Sequence, residues 1–174
     1  MAGAVAVERC DECGFNGSCW TDDGAVAAIA GLPARWYKAV SGLADDELGR
    51  RPIPAMWSIA ENCDHVREVL FGMRFLLDVA VADPGTDLGP APEPRLDPVS
   101  RAVDVTEALA GISHEAGGLV SRLMTVDRPV WASTVTVDGV ASHLHWIARH
   151  AVHDATHYLR DVERLRRSLG PPDH

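Results

Sequence analysis

A chain of 174 residues with 47% hydrophobic side chains can bury a core without disulfides or a metal to hold it together. Its net charge of −9 provides no basic stripe for phosphates, which argues against nucleic acid as a partner. The opening MAGAVAVERC has no basic start, and the most apolar stretch, 69–82, is broken by Arg74 and Asp78. Neither a signal peptide nor a membrane span is therefore expected, and the protein reads as cytoplasmic.

Residues 1–20 read as a separate cysteine-rich appendage carrying Cys10, Cys13 and Cys19. In a reducing compartment such thiols are metal ligands or free thiols before they are disulfides. The run CDECGF has the form of a zinc knuckle, two cysteines astride a tight turn whose glycine lets the chain curl back. Cys19 is near enough to give this second metal site a third donor, with His143, His145 or a residue of another chain as the fourth. A pair of reduced thiols in a tail is the equal alternative. A redox CxxC is a weaker one, because no βαβ pattern follows.

Residues 21–170 read as four helices. The first, 22–43, is capped by Thr21 or Asp22, and Pro33 should kink it or force a fresh start. The second, 58–81, opens on SIAE, where Ser58 and Glu61 fit a capping box. Ile59, Cys63, Val66, Leu70, Met73 and Leu77 follow as its apolar stripe, so Cys63 is expected to be a buried, inert thiol. The Pro- and Gly-rich 82–98 is a surface loop. The third helix covers 99–125, and 127–139 is an extended connection, strand-like over 133–137. The last helix, 140–169, stops at GPP. Long helices with little strand signal predict an all-α four-helix bundle.

The last helix contains RHAVHDATHYLR, with histidines at 150, 153 and 157. His153 and His157 stand one turn apart on one face, the reach needed to grip one ion. Two imidazoles leave a divalent metal short of ligands, and His65 on the second helix is the natural third. Three neutral nitrogens and a water suit zinc in an open site, and nickel or iron accept the same set. The bland alternative is a solvated face, since these histidines lie opposite the apolar stripe. Trp146 shares their side, however, so something is expected to cover it. His150 could be a fourth ligand, a proton shuttle or a surface residue. Asp154, one turn after His150, could pair with it, and Glu61 could reach the metal, although its cap already explains it.

The segments RRPIPAMWSIAENCDHVREVL and HAVHDATHYLRDVERL together resemble the signature of the DinB/YfiT-like superfamily, over roughly residues 22–169. The resemblance implies an up-down-down-up four-helix bundle, often a homodimer, with a metal on His65, His153 and His157. It further implies the thiol-dependent branch, which includes mycothiol-dependent maleylpyruvate isomerases and bacillithiol or mycothiol S-transferases. The expected function is then a zinc-dependent transferase or isomerase that turns a low-molecular-weight thiol such as mycothiol on a small electrophile. The metal would supply the thiolate, the nucleophilic form of the thiol. A non-catalytic metal-binding module, with the ion stabilising the bundle or a partner interface, is the alternative. A zinc-hydroxide hydrolase is the third, and it needs a general base that no residue of the pattern supplies.

Overall fold

The computed structural model describes residues 7–91 and 102–169. An N-terminal hairpin of β1 (Arg9–Cys10) and β2 (Phe15–Asn16) precedes α1 (Asp22–Val40) and the short α2 (Asp45–Gly49). Then come α3 (Ile59–Ala82), α4 (Val105–Thr125), the hairpin β3 (Thr134–Val137) and β4 (Val140–His143), and α5 (Leu144–Ser168).

The helix starts follow local chemistry. Thr21 Oγ1 accepts from the Gly24 N–H, and Asp22 and Asp23 sit in the first turn, where the helix dipole favours negative charge. The Ser58–Glu61 capping box is formed in both directions, and the Arg51 guanidinium also holds the Glu61 carboxylate. Asp104 Oδ1 accepts from the Thr106 and Glu107 amides, so α4 starts at Val105. The expected earlier start falls at 99–101, outside the described residues.

Two sequence expectations are corrected. Pro33 does not start a new helix: α1 runs through it, held on both sides by the fully buried Ile29, Leu32 and Trp36. Residues 140–143 are strand rather than helix. Asp138 and Gly139 both take positive φ, 51° and 73°, which makes the two-residue turn that folds β4 back on β3. The loop after α3 is also more ordered than a plain surface connection. Its backbone pairs along β3, with Gly85 N–H donating to Thr134 O and Leu88 N–H to Thr136 O.

The bundle is built from the four long helices. α1 and α3 each pack against both α4 and α5, so they occupy opposite corners. Ile59, Cys63, Val66, Leu70 and Leu77 of α3 meet Ile112, Ala116 and Leu119 of α4 and Leu144, Ile147, Ala151, Ala155 and Val162 of α5 in one core. Each large apolar side chain there contributes about 1.5–3 kcal/mol of burial. Among the described residues no helix is long and apolar enough to cross a membrane.

The N-terminal segment folds onto the bundle. Cys13 and Phe15 are buried and join the core, against α5. Phe15 stacks on His153, with ring centroids 4.6 Å apart. This hairpin is the cover that Trp146 and the histidine face of α5 call for, and Trp146 itself stacks on His150 at 4.3 Å.

Candidate metal centre

Helical spacing puts His150, His153 and His157 in a row on α5, with neighbouring rings 6.1 and 5.9 Å apart. The hairpin supplies the other wall. Cys10 pairs with Phe15 across the strands, and Gly14, at φ +70°, lets residues 11–14 turn back so that Cys10 and Cys13 flank the turn. The Arg160 guanidinium donates to the Cys13 carbonyl and fastens this turn to α5.

Cys10, Cys13, His153 and His157 thus meet, each offering one ligand atom, all within 4.8 Å of one another. Cys10 Sγ lies 3.6 Å from His157 Nδ1. His153 gives its Nδ1–H to Glu8 Oε1 at 2.6 Å, and among the described residues its buried Nε2 has no hydrogen-bond partner. An orphaned imidazole nitrogen beside two thiols is costly to leave unmade and is what a metal ligand looks like without its ion. His157 Nε2 points instead toward Glu12 Oε2 at 3.5 Å and Asp161 Oδ2 at 3.7 Å. Two sulfurs and two imidazoles are the donor set of a tetrahedral zinc site, and each imidazole has a carboxylate behind it. The residues present fit zinc.

The electrostatics single out Cys10 as the thiol most ready to ionise. Hydrogen bonding from the Cys13 backbone, then the nearby His153 ring, pulls the Cys10 thiol down to about 6. Burial pushes the Cys13 thiol up, with Cys10 alongside adding to it. Burial opposes ionisation of Glu8, but hydrogen bonds and charge from His150 and His153 outweigh it and hold the carboxyl below its usual range. Burial likewise opposes protonation of His153, and the nearby Cys10 sulfur together with the bond to Glu8 raises it above the ordinary value.

A second, overlapping group joins Glu8, His150, His153 and Asp154, also within 4.8 Å. Glu8 Oε1 accepts from His150 Nδ1 at 2.8 Å as well as from His153, and His150 Nε2 lies 3.4 Å from Asp154 Oδ2. Here a single carboxylate aligns two imidazoles.

The remaining candidates stand elsewhere. His65 on α3 belongs to neither group: its ring lies 4.8 Å from Trp57 and 4.5 Å, edge-on, from Tyr158, and burial lowers its pKa. Tyr158 also touches His157, at 5.3 Å. Cys19 is exposed at the end of a 3-10 turn, outside both groups. Glu61 is taken up by Ser58 and Arg51. His143 caps α5 by accepting from the Trp146 N–H, and His145 pairs with Asp22 at 2.8 Å. Glu8 carries no motif and was not foreseen. What the sequence did hold was arithmetic: CxxC and HxxxH each lack two of four ligands.

Comparison with known proteins places the fold. The sequence profile of the DinB superfamily matches residues 28–159, which include His65, His153 and His157 but not the hairpin cysteines. No curated protein matches the chain. Among solved structures, YfiT from Bacillus subtilis superposes with a TM-score of 0.74 at 16% identity, covering 86% of this chain and 87% of that one. That protein is described as "a probable metal-dependent hydrolase with an unusual four-helix bundle topology". At this identity the likeness establishes the shared fold. With the profile spanning most of the chain, the protein belongs to the DinB superfamily.

Proposed function

We propose that the protein holds one zinc ion in a closed centre of Cys10, Cys13, His153 and His157, and that the ion fastens the N-terminal hairpin to α5. The observation that carries this reading is the buried Nε2 of His153, without a partner among the described residues, in a group where two thiols and a second imidazole converge. Four protein donors leave no position open for a substrate, which is the mark of a structural rather than a catalytic zinc site. The ion when bound supplies cross-linking: it ties a hairpin too small to be stable alone to the bundle. Glu8 fixes the His153 tautomer, and the Arg160–Cys13 bond sets the turn.

A second reading is the thiol-dependent transferase or isomerase, and one observation favours it. A cleft of about 720 Å³ is lined by Met56, Trp57, Tyr158 and Arg164 among others, and two of its rings, Trp57 and Tyr158, pack on His65. In this reading His65, His153 and His157 hold the metal, which would keep a thiol co-substrate ionised, and the cleft takes a small electrophile against its aromatic wall. Its Arg164 is paired with Asp161, so recognition would rest mainly on apolar contact.

Metal content separates the two. The first reading expects one equivalent of zinc in the native protein, lost in Cys10→Ser/Cys13→Ser and in His153→Ala/His157→Ala but kept in His65→Ala. Zinc that survives the cysteine changes and disappears with His65→Ala would instead support the open, catalytic site.

A further inference from the structure

Two of the four proposed zinc donors are thiols on one short turn, and that turn is at the surface. Cys10 is half-buried, whereas Cys13 is buried. The sulfurs belong to one group whose ligand atoms lie within 4.8 Å of each other, and a disulfide needs them about 2.05 Å apart. They flank a turn closed by a single short pair of strands, so bringing them together does not require the bundle to move. The other two cysteines are set apart: Cys63 is fully buried among α3 core residues, and Cys19 lies outside the cluster.

We propose that Cys10 and Cys13 form a reversible oxidation site, in which a peroxide converts the two thiols to a disulfide and the metal is released. The inference rests on the zinc reading above. The chemistry closes on itself. The Cys10 thiolate attacks one oxygen of hydrogen peroxide, the O–O bond breaks, and the leaving hydroxide takes a proton from solvent as Cys10 becomes a sulfenic acid. The Cys13 thiolate then attacks the Cys10 sulfur, the S–O bond breaks, and a second hydroxide leaves and is protonated by solvent. The two sulfurs lose two electrons, one peroxide with two solvent protons becomes two waters, and the zinc leaves as the divalent ion. The disulfide sulfurs are poor ligands, so the ion keeps only His153 and His157, too few to hold it. Half-buried Cys10 is the attacking residue and covered Cys13 the resolving one.

The hairpin then depends on its remaining ties. These are the Phe15–His153 stack, the Arg160 bond to the Cys13 carbonyl, and Glu8 between His150 and His153. They are enough to keep it near its site, so a thiol reductant and zinc together restore the centre.

The test uses the full chain carrying Cys19→Ser, loaded with zinc and treated with one equivalent of hydrogen peroxide. Zinc release is followed with a chromogenic chelator, free thiols are counted after unfolding, and intact mass is measured. The expected result is one zinc released for every two thiols lost, a mass lower by two hydrogens, and recovery on adding dithiothreitol and zinc. Further replacing Cys13 by Ser should stop the reaction at a Cys10 sulfenic acid that dimedone traps. Zinc retained through complete peroxide consumption, or oxidation to sulfinic acid without a disulfide, overturns the oxidation site and leaves the zinc centre standing. A reduced, folded protein that binds no zinc overturns both.

Discussion

Glu8 and His153 stand 145 residues apart in sequence and 2.6 Å apart in the fold, carboxylate Oε1 to ring Nδ1. The contact fixes which imidazole nitrogen carries the proton, because a carboxylate can only accept. Nε2 is thereby left as the lone pair that faces the thiols.

The first prediction follows from that contact. Carboxylates behind ligand imidazoles are typically worth about 10- to 100-fold in metal affinity. Glu8→Gln should weaken zinc binding by about that factor, read by competition with a chromogenic chelator. Glu12, which is largely exposed and 3.5 Å from His157, should matter much less when changed to Gln. Equal affinity in native protein and Glu8→Gln would deny Glu8 any orienting role.

A pH dependence arises at the other end of α5. His143 Nδ1 accepts the Trp146 N–H and caps the helix, which only the neutral ring can do. Burial, with His145 and Arg149 adding to it, lowers the His143 pKa from the ordinary 6.5. The unfolded chain therefore binds this proton more readily than the folded one. The stability so gained is complete above about pH 6.5 and is lost as pH falls through the lower folded value. His143→Asn keeps a cap acceptor and does not titrate in this range. The stability difference between native protein and variant should be flat above about pH 6.5 and slope below it, in urea unfolding series from pH ~7.5 to ~5.5. A constant difference throughout would contradict the cap.

Charge is also buried between α3 and α4. Arg74 Nε lies 2.6 Å from Glu115 Oε2, and Glu115 is buried. Gly118 makes room for the arginine: a Cβ there would come within 2.9 Å of Arg74 Cδ. Arg74→Met leaves Glu115 without its counter-charge and should cost about 3 kcal/mol. Arg74→Met combined with Glu115→Leu should recover most of that, as measured by urea unfolding. A double variant no better than the single would mean the arginine acts through packing alone.

Thiol reactivity should divide sharply. Burial pushes the Cys63 thiol up to about 12, while Cys19 is exposed. Iodoacetamide on the native protein at pH ~8 should label Cys19 and spare Cys63 until the chain is unfolded, by peptide mass mapping. Labelling of Cys63 in the native state would show that the α3–α5 core opens.

Much of this was legible in residues whose partners are local. Thr21, Ser58 and Glu61 announce helix starts because a cap is made within three or four positions. His153 and His157 announce a shared face because the helical repeat dictates it, and Trp146 on that face announced a cover. The Asp138–Gly139 turn was equally local but was overridden by the apolar pattern that follows it. What spacing could not give was the meeting of distant pieces. Cys10 and Cys13 read as half of one site and the histidines as half of another, since periodicity fixes a face and not its neighbour. His65 reads as a third ligand only from its position on α3, and the rings beside it in the fold are Trp57 and Tyr158. Glu8 lies in no pattern at all.

The hairpin on α5 also sets an order of events during synthesis. Cys10 meets His157 across 147 residues, so the amino-terminal donors leave the ribosome long before their partners exist. Closing so long a loop is entropically expensive for a free chain, and least so once the intervening helices have docked. The proposed centre is therefore the last thing to assemble, and a nascent chain stalled before α5 would carry a bare pair of thiols.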